Sequence, residues 1–231
     1  MGNNPIGGFD PSGKATIFVH GTWSRPGRFS AGMKNEVLNI LSDFEGPEFS
    51  WEPGDNNRGA RSSAANALFQ DILSLYAAGE DINLVGHSHG GNVILEASQL
   101  LDAYNQVNGT NITIKNVILI GTPIRDDYDP AMDVMKTFNI LSNTIDDVQR
   151  NGGYDGNSDL VTRLAMWISK KMDGEQGDAL RAHPEANNIL LSSSEMKKYG
   201  VPFFDYVYAH SAALDKPQMW KDIKGKLDIK K

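Results

Sequence analysis

Asp81-Ile82-Asn83-Leu84-Val85-Gly86-His87-Ser88-His89-Gly90-Gly91 is the stretch on which the reading of the chain turns. Asp81 to Val85 is a short, largely apolar run and reads as a buried strand. Beyond Gly91, apolar residues return as Val93, Ala97, Leu100 and Tyr104, the spacing of one helix face. Between the two stands Gly-x-Ser-x-Gly with a further glycine behind it. A backbone that bends this sharply from strand to helix holds Ser88 on a strained corner, where side chains at Gly86 and Gly90 would collide. Gly91 lets the helix lie close to the sheet. The helix N-terminus faces the place where negative charge would develop on a reacting oxygen. Ser88 is therefore the candidate nucleophile, and the backbone N–H of His89 a candidate oxyanion donor.

Upstream, Ala15 to Val19 forms a second buried strand that opens into His20-Gly21-Thr22-Trp23. The spacing predicts a helix near 31–42, a short strand at Phe49-Ser50-Trp51 and a helix over 61–78. Ala64, Leu68, Ile72 and Leu75 share a face of that helix, and Gly79 stops it. Downstream, 116–120 is a strand ending at Gly121-Thr122-Pro123, and another strand falls near 137–141. Phe203 to Tyr208 is an apolar, aromatic run leading to His210. A last helix carries Trp220, Ile223 and Leu227, with Pro217 in its first turns. Strands alternating with helices imply an α/β architecture, a mainly parallel sheet with helices on both faces. Residues 15–231 read as one domain without internal repeats, and 1–14, rich in Asn, Gly, Pro, Asp and Ser, as a loop-like segment before it.

Composition narrows the functions. The 231 residues are 40% hydrophobic and 22% charged, as in ordinary globular domains. A net charge of −7 leaves no basic face to neutralise phosphates, so nucleic acid is not an expected partner. The lysine-rich stretch from Lys221 to Lys231 reads as a solvated helix end. With no cysteine, disulfides, thiolate metal sites and cysteine nucleophiles are excluded. The histidines do not fall at ligand spacing, so neither a metal nor another cofactor is expected. No signal peptide and no apolar stretch of about 18 residues is visible.

From about residue 15 to 227 the chain resembles a lipase-type α/β hydrolase. The elbow carries the resemblance. Phe49-Ser50-Trp51-Glu52-Pro53-Gly54-Asp55-Asn56-Asn57-Arg58, with Arg61 and Ala64-Ala65, extends it. This stretch is similar to the F-x-W-x-G-x-N…A-R-x-x-A-A run of lipase-like bacterial hydrolases, antibacterial lipase effectors among them. Glu52-Pro53 stand where serine is usual. The resemblance implies the α/β-hydrolase fold and a triad in the chain order serine, acid, histidine. His20-Gly21-Thr22-Trp23 is similar to the oxyanion loop of lipases, in which the residue after the glycine supplies an N–H. That residue is Thr22, with Trp23 as the alternative.

Elimination and order agree on the base. His20, His87 and His89 belong to the two motifs, and His183 lies in a polar loop before Pro184. Only His210 comes late in the chain, and its surroundings resemble the histidine loop of lipases. For the acid, the strand ending at Leu141 is followed by Ser142-Asn143-Thr144-Ile145-Asp146-Asp147-Val148. Acid-x-Val after that strand is the usual lipase arrangement and selects Asp146, which would orient His210. Asp147 is one residue away, and Asp126, Asp127 and Asp129 follow the preceding strand, where some family members place the acid.

A second resemblance covers residues 2–14. Gly2-Asn3-Asn4-Pro5-Ile6 and Asp10-Pro11-Ser12-Gly13 are similar to G-N-N-P-I-x-x-x-D-P-x-G-L, the end of the Rhs repeat-associated core, with Lys14 in place of leucine. That family attaches variable toxins to the C-terminal side of the core. The two resemblances together imply a lipase or phospholipase toxin domain of a longer protein. Such a protein would be secreted or delivered by a type VI system to the periplasm or membrane of a rival cell. They also imply a lipid or ester substrate, a cognate immunity protein and peripheral membrane contact. Leu160, Val161, Leu164, Trp167 and Ile168 share one helix face, flanked by Lys170 and Lys171, and this helix reads either as a lipid-facing lid or as a core-packing helix. Competing readings are a small-ester hydrolase or thioesterase without membrane targeting, and an inactive hydrolase fold serving as a binding module.

Overall fold

The computed structural model describes residues 13–22, 24–51, 57–124, 128–151 and 182–231. Most of the N-terminal segment (1–12), Trp23, 52–56, Asp126, Asp127 and the amphipathic stretch at 158–171 lie outside the described residues.

Among the described residues, five parallel strands form one sheet in chain order: β1 (Lys14–Val19), β2 (Asp81–His87), β3 (Ile114–Ile120), β4 (Phe138–Asn143) and β5 (Asn187–Leu191). The helices are α1 (Ala31–Leu41), α2 (Arg58–Ala77), α3 (His89–Asn108), α4 (Asp147–Asn151), α5 (Ser193–Lys198), α6 (Tyr206–Asp215) and α7 (Pro217–Ile223). Ser30 and Asn57 cap α1 and α2 through their side chains, and Ser192 with Glu195 forms a reciprocal capping box on α5.

The chain reverses direction across the sheet at β1. After α1 it touches the outer edge of β1, where Phe44 O accepts from Thr16 N–H (3.1 Å) and Gly46 N–H donates to Thr16 O (2.8 Å). It then returns through α2 to β2 on the other edge. Because crossovers of parallel strands are right-handed, this reversal puts α1 on one face and α2 on the other. Alternate strand residues follow that division. Ile17, Leu84, Val117 and Ile140 pack with Leu68 of α2 and Val93 of α3. Phe18, Val85, Ile118 and Leu141 pack with Val37 of α1, Ala212 of α6 and Trp220 of α7. Burial on both faces is why the strands read as apolar runs rather than as alternating patterns. Each fully buried large aliphatic contributes about 1.5–3 kcal/mol.

Three segments differ from the sequence reading. Phe49-Ser50-Trp51 is not a strand: its edge pairing is made earlier, at Glu45, and Trp51 is instead tied to His20. β5 and α5 had no counterpart among the expected elements. His210 sits inside α6 rather than in a loop, because Ala209, Ala212, Ala213 and Leu214 bury a helical face and Asp205 caps its start, accepting from Tyr208 N–H (2.9 Å).

A polar line crosses the strands. Asn116 Nδ2 donates to Asn83 Oδ1 (2.7 Å) and Asn187 Nδ2 to Asn139 Oδ1 (2.8 Å). Asn83 donates in turn to Asp43 (2.7 Å), which also accepts from Thr16 Oγ1. The residues after α7 lie on this line. Asn139 accepts from Asp228 N–H (2.8 Å) and donates to Asp228 O (2.8 Å), and Asn116 pairs with Lys230 the same way (2.8 and 3.0 Å). Side-chain amides thus stand in for a neighbouring strand. Among the described residues no helix is long and apolar enough to cross a membrane.

Candidate active site

Ser88 lies between β2 and α3 at φ 53° and ψ −133°. A non-glycine residue held there costs about 1–3 kcal/mol, and it persists only where the surroundings over-determine it. Ser88 N–H donates to Ile120 O (2.9 Å), and Gly91 N–H donates to Ser88 O (3.0 Å). The start of α3 presses on the end of β1: a β-carbon at Gly90 would collide with Val19 O and lie 2.5 Å from His20 O. The loop after β1 is as close, since a β-carbon at Gly21 would lie 2.7 Å from Ser88 Cβ and 3.3 Å from Ser88 Oγ.

On the other side of Ser88 stands an acid–imidazole pair. His210 Nδ1 lies 2.8 Å from Asp146 Oδ2. The carboxylate accepts, so Nδ1 carries the proton and Nε2 is the nitrogen left to accept one. Asp146 is fully buried just past β4, and its other oxygen accepts from Gln149 N–H (2.8 Å) at the start of α4. Gly121 joins the two sides. Its neighbour Ile120 holds Ser88 N–H, and a β-carbon at Gly121 (φ +56°) would lie 3.1 Å from Asp146 Oδ2 and 3.2 Å from His210 Nδ1. Ser88 Oγ forms no hydrogen bond to His210 among the described residues.

Three residues that the sequence reading gave no role hold this pair in place. His87 Nε2–H donates to His210 O (3.1 Å), and the two rings lie 4.7 Å apart. Asn143 Nδ2 donates to Ala209 O (3.1 Å), so consecutive carbonyls of α6 are held from beneath. Gln149 Nε2 donates to Thr122 O (2.8 Å) and Ser142 Oγ (2.9 Å), fixing the turn that carries Asp146. Burial, and then the charge His210 would bear, holds His87 well below its ordinary value of 6.5. Its buried Nδ1 has no hydrogen-bond partner among the described residues. The sequence signal was its place inside the elbow motif.

The expected oxyanion residues flank Ser88. His89 is the first residue of α3, so its backbone N–H is among those that no earlier turn of the helix can accept. Its ring is turned to Asn92 Oδ1 (3.1 Å). Thr22 follows the glycine that touches Ser88, and its Oγ1 is buried without a hydrogen-bond partner among the described residues. His20 fixes that loop. Its Nδ1–H donates to Gly21 O (3.0 Å), its Nε2 accepts from Trp51 N–H (3.4 Å), and its ring stacks on Trp51. Burial lowers its pKa as well, in keeping with a neutral ring.

Of the other acids, Asp147 opens α4 beside Asp146, and Asp129 lies 3.8 Å from His183 with an 81% exposed side chain. Arg61, singled out in the sequence, is fully buried and donates through Nε to Tyr128 Oη (2.6 Å). Among the described residues no cluster of His, Cys, Asp or Glu would hold a metal ion.

No family model matches the chain. No curated protein sequence matches it either. Solved structures do. Mature lipase BlEst2 of Bacillus licheniformis superposes with a TM-score of 0.50 at 15% identity, covering 98% of this chain and 96% of that one. Lipase B of Aspergillus fumigatus superposes with a TM-score of 0.52 at 12% identity, covering 94% of this chain and 53% of that one. A cutinase of Trichoderma reesei, 20% identical, aligns over 48% of this chain and 52% of its own, with a TM-score of 0.38. The chain thus spans about half the length of the cutinase and of the Aspergillus lipase. Its parallel sheet, the helices on both faces and the superpositions on the two lipases together give it the α/β-hydrolase fold.

Proposed function

We propose that the chain hydrolyses carboxylic esters through Ser88, His210 and Asp146. The observation that carries this reading is the strained serine at the β2–α3 corner beside a buried carboxylate hydrogen-bonded to an imidazole. Ser88 Oγ attacks the ester carbonyl carbon while His210 Nε2 takes its proton. The carbonyl oxygen becomes an oxyanion in reach of the His89 and Thr22 N–H groups. Collapse breaks the bond to the alkoxide, which leaves with the proton from His210. Water, deprotonated by the same nitrogen, then releases the acid and restores Ser88. Asp146 keeps the imidazole in the required tautomer and stabilises it when charged.

The favoured substrate is a membrane lipid, making the chain a lipase or phospholipase of the A type. The similarity of residues 49–65 to lipase-like effectors and of 2–14 to the Rhs core supports this reading and a role as an antibacterial toxin domain. In that role it would be carried to a rival's periplasm or membrane surface within a larger protein and countered by an immunity protein in the producer. Product analysis of phospholipid vesicles treated with the wild type or with Ser88→Ala tests the lipid assignment. Free fatty acid and lysolipid released only by the wild type are expected. Turnover of a soluble short-chain ester with vesicles left intact would favour a small-ester hydrolase.

A further inference from the structure

Eight large apolar side chains are exposed among the described residues, and four of them are Phe203, Phe204, Tyr206 and Val207. The others, Phe44, Tyr76, Val107 and Leu190, are scattered. Single exposed apolar residues are ordinary, whereas a contiguous run marks a contact surface. Phe203 and Phe204 meet edge to face, 5.0 Å between ring centres, in the turn that leads into α6. They are 58% and 80% exposed, Tyr206 is 42% and Val207 73%. For aromatic side chains of 150–250 Å² this leaves roughly 400–500 Å² of apolar surface. Tyr206 and Val207 precede His210 by four and three residues, which places them on its side of α6.

Three lysines stand around the run, and the acids beside them, Glu195 and Asp215, are paired with Lys226 and Arg28. Lys216 Nζ lies 5.4 Å from the Tyr208 ring centre, and Lys197 and Lys198 are exposed at the end of α5, just before the turn. The one acid within the run, Asp205, is engaged as the cap of α6.

We infer that the Phe203–Phe204–Tyr206–Val207 surface docks on an anionic phospholipid bilayer and brings the side of α6 that carries His210 to it. The purpose of this surface rests on the ester-hydrolase reading, but its geometry does not. Aromatic side chains projecting from a turn suit the headgroup layer, where the lysines meet phosphates. A second copy of the chain is the poorer occupant, since this area falls short of the ~800 Å² per partner of a stable protein pair.

The test is sedimentation of the Ser88→Ala chain with vesicles of phosphatidylglycerol and phosphatidylcholine, or of phosphatidylcholine alone. Removing the nucleophile separates docking from chemistry, so the hydrolase reading can fail on a soluble ester while the surface still binds, and the reverse. The Ser88→Ala chain is expected to bind the anionic vesicles. Phe203→Ser with Phe204→Ser should lower the partition coefficient by about tenfold or more. Lys216→Glu should weaken binding to the anionic vesicles several-fold, and Tyr76→Ser should change nothing. Val207→Asp, a single exposed change, gives the same readout should the double variant fold poorly. The proposal is overturned if the parent does not bind, if the patch variants bind as tightly as the parent, or if they abolish a dimer rather than vesicle binding.

Discussion

His87 donates its Nε2–H to the backbone carbonyl of His210, ring against ring at 4.7 Å, so the residue before the serine supports the helix that carries the base. The support has to be neutral. In the proposed mechanism a charged ring at His87 would oppose the imidazolium that His210 would become on taking the serine proton, and burial disfavours charge on His87.

A pH dependence of stability follows. A histidine held neutral by burial binds a proton more weakly folded than unfolded. As pH falls through 6.5 the unfolded chain therefore gains protons first, and folding free energy is lost from there downward, by up to about 1.4 kcal/mol per pH unit for each such group. His20 acts in the same direction. Urea midpoints from pH 8 to 5 should decline for the wild type and decline less for His87→Gln, which keeps an N–H donor but does not titrate. His87→Leu should lower kcat by about tenfold, and His87→Gln should restore most of it. Equal kcat for both variants would mean that the hydrogen bond to His210 positions nothing.

Gly121→Ala probes the crowding between the two sides of the site. A left-handed backbone costs a β-carbon about 1–2 kcal/mol, and this one would also press on Asp146 Oδ2 and His210 Nδ1. The expected outcome is a melting temperature lower by several degrees and a fall in kcat of at least tenfold. A fall in melting temperature with kcat intact would place Gly121 outside the site.

Asp146→Asn keeps the shape of the acid and removes its charge. Turnover should drop by about 10³–10⁴-fold, because an amide does not hold the imidazole in the required tautomer. Asp147→Asn should leave kcat within about twofold. The reverse pattern would exchange the roles of these adjacent residues.

Asn139 holds both backbone groups of Asp228. Asn139→Leu removes both hydrogen bonds, at about 0.5–1.5 kcal/mol each, a loss that should be read as a lower urea midpoint. Cleavage after the terminal lysines by trypsin should also be faster than in the wild type. Unchanged cleavage would show that the last residues are held by other contacts.

What the sequence disclosed was whatever is local. The elbow was readable because Gly86, Gly90 and Gly91 stand within a few residues of Ser88, although the approaches that require Gly90 and Gly91 are to Val19, His20 and Thr122. His210 and Asp146 were reachable by chain order alone, and the geometry brings them within hydrogen-bond distance. What escaped is relational. His87 was legible only as a member of the elbow motif because its partner is 123 residues away. The asparagines of β2 to β5 looked like polar interruptions because their partners lie on other strands and beyond α7. Phe49 and Trp51 carry strand-like side chains, but β1 already pairs with Glu45, and His20 claims Trp51. β5 was missed because half of it is asparagine or exposed leucine.

Turnover of a soluble short-chain ester by the wild type and by Ser88→Ala tests the central claim most directly. The account predicts measurable hydrolysis by the wild type and a loss of at least about a thousandfold in the folded variant. Hydrolysis at the wild-type rate by Ser88→Ala would contradict it.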